Sequence, residues 1–165
     1  MASTVGPTFP HPENFRQVLS RLPTGVVVVT GGQEPQPYGL VCGSFMSVSL
    51  EPPLVAVAPA KTSTSWPAIR AAGNFCANVL AADQEHLARR FAVPGGDKFT
   101  GVAWRPAPAT GAPLLDGVAA WIDCRIYKEI EAGDHWLVLG EVLELSVQRQ
   151  SGALVFHAGG FRPLG

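Results

Sequence analysis

Charge is sparse in this sequence. Only 12 of its 165 residues are Lys or Arg and 13 are Asp or Glu, 15% in all, for a formal net charge of -1. No basic stripe runs through it, which excludes a nucleic-acid partner held through its phosphates. Sparse charge beside 47% hydrophobic residues implies a compact globular chain with apolar surface to cover, and so an oligomer.

Cysteine is also scarce. Cys42, Cys76 and Cys124 are odd in number and far apart. No CxxC or Cys/His spacing suggests zinc, and no even set suggests a disulfide scaffold. All three sit in apolar, strand-like surroundings and read as buried free thiols. No apolar run approaches about 20 residues, and no basic region followed by an apolar run opens the chain, so neither a membrane span nor a signal peptide is expected. A cytoplasmic protein is the expectation. Nucleotide fingerprints are missing too. No GxGxxG follows a strand and no GxxxxGK[ST] occurs, which disfavours Rossmann and P-loop binding modes. Without a GxSxG, or a cysteine with a histidine near it, acyl transfer has no nucleophile to name. The carboxylates are scattered and offer no acid/base pair.

What is present is concentrated between Gly39 and Ser65. Small and hydroxyl residues alternate there with apolar ones (Val41-Cys42-Gly43-Ser44-Phe45-Met46-Ser47), and the stretch closes on Lys61-Thr62-Ser63-Thr64-Ser65 before an expected helix at Trp66-Ala72. Helix-start amides are unpaired and the helix dipole favours negative charge, so such an end suits an anion. A solvated turn with a helix cap at Ser65 explains the same residues. A flat aromatic cofactor along the first half, with its phosphate on the second, is the working reading.

The rest of the chain reads mainly as β. Residues 1–12 form a loose arm and 13–165 one domain. Phe15, Val18, Leu19 and Leu22 carry a helical spacing over Glu13–Leu22, stopped by Pro23. The β-branched run Gly25–Thr30 is a buried strand, and Gly31–Pro37 a turn. Tyr38–Leu50 reads as one strand, with Gly39 and Gly43 marking a bulge or a close backbone approach. Further strands are expected at Leu54–Ala58, Asn74–Leu80, Val118–Ile130, Trp136–Val147 and Leu154–His157. Gly133-Asp134 makes a hairpin of the two long ones. Asp83–Phe91 is a helix by its early acids and late arginines, and Pro94–Pro113 a long functional or packing loop. Consecutive strands with a few short helices argue for an antiparallel barrel. Among the histidines, His135 stands out at the start of a hairpin strand, where an imidazole can bond an incoming ligand; a solvated turn histidine remains the alternative.

Several segments together resemble the flavin reductase-like family, the small reductase components of two-component flavin-dependent monooxygenases. They are Pro23-Thr24-Gly25 with its valine run, Ser44 to Leu54, Asp97-Lys98-Phe99, Gly133-Asp134-His135, Gly140-Glu141-Val142 and His157-Ala158-Gly159-Gly160-Phe161-Arg162. The resemblance spans about Phe15 to Arg162. It implies an FMN-binding split β-barrel of antiparallel, Greek-key type, assembled as a homodimer. It implies reduction of free FAD or FMN by NADH or NADPH, with reduced flavin passed to a partner monooxygenase. Residue by residue, Val41, Cys42, Gly43 and Ser44, followed by Ser47, match the lining of the flavin ring. Lys61, Thr62, Ser63, Thr64 and Ser65 match the ribityl-phosphate loop, and His135 matches a nicotinamide-binding histidine. Many relatives carry Thr-Ala-Asn-Ser where this chain has Val41 to Ser44, which leaves backbone contacts and Ser44. A non-catalytic flavin-binding protein on the same barrel, and a barrel oxidase with a bound flavin, are the rival readings.

Overall fold

The computed structural model of the chain describes residues 6, 8–32 and 35–164. Of the expected arm, residues 1–5 and 7 lie outside the described residues, as do residues 33 and 34 of the expected turn at Gly31–Pro37. The architecture is antiparallel β with three short helices among the described residues.

The valine run becomes β2 (Val27–Gly31), and all five of its residues are buried. A strand covered on both faces needs such an unbroken apolar run. Val28 enters one core with Leu80, Phe91, Phe99 and Leu114, while Val27 and Val29 enter a second with Val55, Val57, Ile69 and Phe75. On either side of β2 lie β3 (Tyr38–Cys42) and β6 (Asn74–Val79). Beyond β6 the sheet continues through β9 (Ala120–Ala132), β10 (His135–Val147), β5 (Pro53–Val57) and β4 (Met46–Leu50). β9 and β10 form the expected hairpin around Gly133-Asp134, with His135 opposite Ala132. β1 (Thr24–Gly25), β11 (Leu154–His157) and β12 (Gly160–Pro163) form a small second sheet.

The expected split barrel is met in its antiparallel, mainly β architecture, and its sheet does not close. β3 and β4 are the two edges of the seven-stranded sheet, and they do not pair with each other. Cys42 of β3 nevertheless shares a core with Val55 and Val57 of β5, so the sheet curls around that core without closing. The single strand expected over Tyr38–Leu50 is corrected for the same reason. Gly43, Ser44 and Phe45 leave the ladder and carry the chain across the gap from one edge to the other. Gly39 and Gly43 do mark close approaches: a Cβ at Gly39 would stand 2.6 Å from the Phe91 ring, and one at Gly43 2.8 Å from Thr24 Oγ1.

α2 (Trp66–Ala72) ends on Gly73 in the left-handed region, as a C-terminal glycine commonly does. α3 (Glu85–Ala92) buries Leu87, Ala88 and Phe91. The segment 94–113 is not a free loop. It contains β7 (Trp104–Pro106), which pairs with β8 (Pro113–Leu115). The buried Asp123 carboxylate holds it, accepting the Ala109 amide at 2.8 Å and the Thr110 amide at 3.1 Å. α1 (Pro12–Leu19) stops three residues before the expected Leu22, because Arg21 and Leu22 bond back only three residues and tighten the last turn. Its apolar stripe of Phe15, Val18 and Leu19 is exposed.

Gly140 of β10 lies inside the curl, where an added Cβ would meet Phe75 Cζ at 2.6 Å and Cys124 Cβ at 3.2 Å. Gly140→Ala is expected to destabilise the chain by about 1–3 kcal/mol through overpacking. Urea denaturation checks this, and an unchanged midpoint refutes the close packing.

Candidate functional site

The gap left by the unclosed sheet is a cavity of about 520 Å3. One wall is Leu40 to Ser44, the free edge of β3 running into the crossing segment. The opposite wall is Ala58 to Ala60 with Thr62, Ser63 and Thr64. The end of α3 and Lys98 form a third side, and His135 completes the lining. β3 has a strand on one side only, so amides and carbonyls along its other edge carry no ladder partners. Such an edge complements a flat heteroaromatic ring whose rim alternates donors and acceptors. Ser44 fixes the gap's width, its Oγ accepting the Ala58 amide at 3.0 Å.

The expected site residues divide here. Val41, Cys42, Gly43, Ser44, Thr62, Ser63, Thr64 and His135 all line this one cavity, although nearly a hundred positions separate the first from the last. Ser47, Lys61 and Ser65 do not line it. Ser47 is exposed on β4, opposite Val55. Lys61 turns away: its amine pairs with the Glu131 carboxylate and lies 5.1 Å from the centroid of the Trp136 ring. Ser65 is buried and faces Lys98. Nor does Ser65 cap α2 with its side chain. That work falls to Ser63, whose Oγ accepts the Trp66 amide at 3.1 Å and the Ser65 amide at 3.3 Å.

Lys98 is the cation of this wall, and its position between a Gly/Pro loop and a phenylalanine gave no periodic signal of a site. It is buried, and its Nζ donates to Gly39 O at 3.0 Å, to Ser65 Oγ at 3.3 Å and to Phe91 O at 3.3 Å. These bonds clamp the first residues of β3 to the end of α3. Neighbouring Asp97 does not neutralise it, because that carboxylate is turned onto the Phe99 amide at 2.8 Å and the Thr100 amide at 3.1 Å. Among the described residues Lys98 has no carboxylate partner, and burial pushes its pKa down.

His135 Nδ1 stands 2.8 Å from the Asp134 carboxylate. The hydrogen bond from the imidazole holds the Asp134 carboxyl below its usual range. An ionised carboxylate only accepts, so Nδ1 carries the proton and Nε2 is left for a ligand. Cys42 borders the cavity, but burial raises its thiol to about 12, so it packs and does not attack. Among the described residues no cluster of His, Cys, Asp or Glu suits a metal ion, and no helix is long and apolar enough to cross a membrane.

Comparison with known proteins gives a consistent set. Residues 19–165 match the family model described as flavin reductase like domain. A flavin reductase of Pseudomonas putida is 48% identical over 151 residues, covering 91% of this chain and 88% of the relative. The reductase subunit HsaB of a flavin-dependent monooxygenase from Rhodococcus jostii is 44% identical over 148 residues, covering 90% and 75%. Among solved structures, the NADH:FAD oxidoreductase SgcE6 of Streptomyces globisporus, in complex with NAD and FAD fragments, superposes with a TM-score of 0.88 at 36% identity, covering 96% of this chain and 98% of that one.

The capping by Ser63 has a consequence independent of any ligand. Ser63→Ala is expected to lower the stability of the ligand-free protein by about 0.5–1.5 kcal/mol, the usual worth of such a bond. Denaturant titration without ligand measures it, and no loss at all means that Ser63 does not hold the start of α2.

Proposed function

This chain belongs to the flavin reductase-like domain family, and from that premise we propose that the cavity beside β3 binds a flavin which a reduced nicotinamide nucleotide reduces there. The observation that carries this reading is the convergence of an unpaired strand edge, a hydroxyl loop and His135 on one cavity of suitable size. The chain is an NAD(P)H:flavin oxidoreductase that supplies reduced flavin to a partner monooxygenase. The NADH:FAD likeness favours FAD and NADH as the pair. The open, curled sheet with its ligand in the gap is the split barrel of the resemblance.

The bound flavin ring supplies the two-electron acceptor. The protein's own contribution is binding and orientation. The β3 edge from Val41 to Gly43 presents main-chain donors and acceptors to the ring rim. Thr62, Ser63 and Thr64 present hydroxyls and amides to the phosphate, and Lys98 contributes positive charge behind them, in place of the expected Lys61. His135, fixed by Asp134, offers Nε2 to the carboxamide of the nicotinamide. No general acid is required of the chain, since water can supply the proton. This fits a site without a catalytic triad.

The assay is nucleotide consumption with added free flavin, crossing NADH and NADPH with FAD and FMN. No consumption with any pair overturns the reading and leaves a binding protein; turnover only with a tightly held flavin and a separate organic substrate indicates an oxidase. In the same assay His135→Ala is expected to raise the KM for the nicotinamide nucleotide about two- to tenfold, the worth of one positioning bond. Flavin affinity should be nearly unchanged. A fall in kcat by about three orders of magnitude with nucleotide binding intact would identify His135 as an acid instead.

The chain acts as a homodimer. The motive is exposed apolar surface: the α1 stripe, Leu145 and Val147 at the outer end of β10, and Met46 and Leu50 on the edge strand β4. A second copy of the chain covers these faces. Light scattering should give about twice the 17.4 kDa chain mass. The double variant Leu145→Glu, Val147→Glu should shift the particle toward the single-chain mass; a wild-type protein that is monomeric at micromolar concentration refutes the dimer.

A further inference from the structure

We propose that two cations stacked on Trp136 tie the hydroxyl loop to His135, so that a phosphate bound on the loop sets the imidazole for the nicotinamide. The inference rests on the flavin reading above. Lys61, Arg70, Glu129, Glu131 and Trp136 are positioning residues, acting through the loop and through His135.

The stretch Thr62 to Thr64 is fastened at both ends to one strand. Before it, the Lys61 ammonium pairs with Glu131. After it, Trp66 Nε1 donates to Glu129 Oε2 at 3.2 Å, and Arg70 of α2 pairs with the same carboxylate. Residues two apart on a strand share a face, so Glu129 and Glu131 offer both anchors from one side of β9. Trp136 of β10 stands directly opposite Glu131. Both cations lie over its ring, Lys61 Nζ at 5.1 Å and Arg70 Cζ at 4.5 Å from the centroid. Main-chain bonds join the same two segments around His135. The Trp136 amide donates to Pro59 O at 2.9 Å, the Lys61 amide donates to Asp134 O at 2.9 Å, and Ala60 forms a bridge with His135.

Charge shows what this cluster is suited to. Lys61 and Arg70 are each taken by a glutamate, so little positive field remains for an anion, and the work left to them is mechanical. Half-buried Trp136 packs on the core that contains Trp66 and Ile69, which gives the loop's far end and the start of β10 a common footing. Loop and strand end therefore move as one body. A ligand that orders the loop has already ordered His135, and a second ligand at His135 then binds more tightly.

The KM for NADH, measured with FMN and with riboflavin, tests this, because riboflavin carries the ring without the phosphate. In wild type the KM should be about fivefold or more lower with FMN, the low end of couplings between sites. Trp136→Leu removes the platform, and Lys61→Met removes one cation while keeping the stem. Each should shrink the FMN advantage about two- to fivefold, the worth of one exposed cation–π contact. The change should appear as a higher KM with FMN, at unchanged kcat and unchanged KM with riboflavin. Glu131→Gln should act as Lys61→Met does, and the two combined no more than either alone, since both break one tie. Hydrogen exchange reads the same coupling without turnover: FMN should slow the Trp136 amide more than riboflavin does in wild type, and no more than riboflavin in Glu131→Gln. An FMN advantage absent from wild type, or unchanged in the variants, overturns the proposal. An equal rise in KM with both flavins also overturns it and leaves the cluster a structural one. No turnover with any flavin removes the parent reading and this inference together.

Discussion

A sheet that curls without closing leaves two rows of backbone groups unpaired, and this molecule is arranged around that deficit. The β3 edge is the side that matters, because it borders the curled core and the cavity at once. Unpaired edges invite association with other chains. Here α2 and α3 pack against β3, Lys98 takes the Gly39 carbonyl, and Ser44 reaches across the gap to the Ala58 amide. What stays open is the length from Leu40 to Gly43, short enough to be covered by one planar ligand. The edge on β4 is different, with Met46 and Leu50 exposed.

Lys98 shows how burial turns a charge into a positional device. Three donors and three protein acceptors satisfy the ammonium geometrically without neutralising it. Its desolvation is unfavourable to the ligand-free protein. The ammonium nevertheless borders the cavity, where its charge is available to an anion. An exposed lysine such as Lys61, paired with Glu131 and resting on Trp136, does the reverse work. It ties the loop after β5 to the β9–β10 hairpin and has little field left for a ligand.

The division between these two lysines explains what the sequence disclosed and what it did not. Patterns with a period were legible: the valine run of β2, the β9–β10 hairpin around Gly133-Asp134, α2 with its Gly73 stop, and the burial of three thiols. The hydroxyl loop was legible as a cluster; Ser63 caps α2, and Thr62, Ser63 and Thr64 line the cavity. Side-chain direction was not legible. Nothing local tells that Lys61 pairs with Glu131, 70 residues on, or that Lys98 turns back to Gly39, 59 residues before it. Topology was equally hidden at Gly43 to Phe45. An alternating segment continues as a strand unless the sheet it belongs to ends, and that end is a long-range fact. The β11–β12 hairpin went unread because its turn is Ala158-Gly159, with the non-glycine residue at φ 49.

On the flavin reading proposed above, ring recognition falls on main chain more than on side chains. Val41 and Gly43 have no polar side-chain atom, the Cys42 thiol is kept protonated by burial, and the Ser44 oxygen already accepts from Ala58. Main-chain recognition is only as good as the placement of the strand that provides it. The placement of β3 rests on Phe91 seated on Gly39, the Lys98 clamp, and the ladder to β2. Substitutions in the α3–Lys98 corner therefore act on the position of β3 and, on that reading, on any ligand that uses its edge. A site with few polar side chains of its own is for that reason spread over the fold that aligns its backbone.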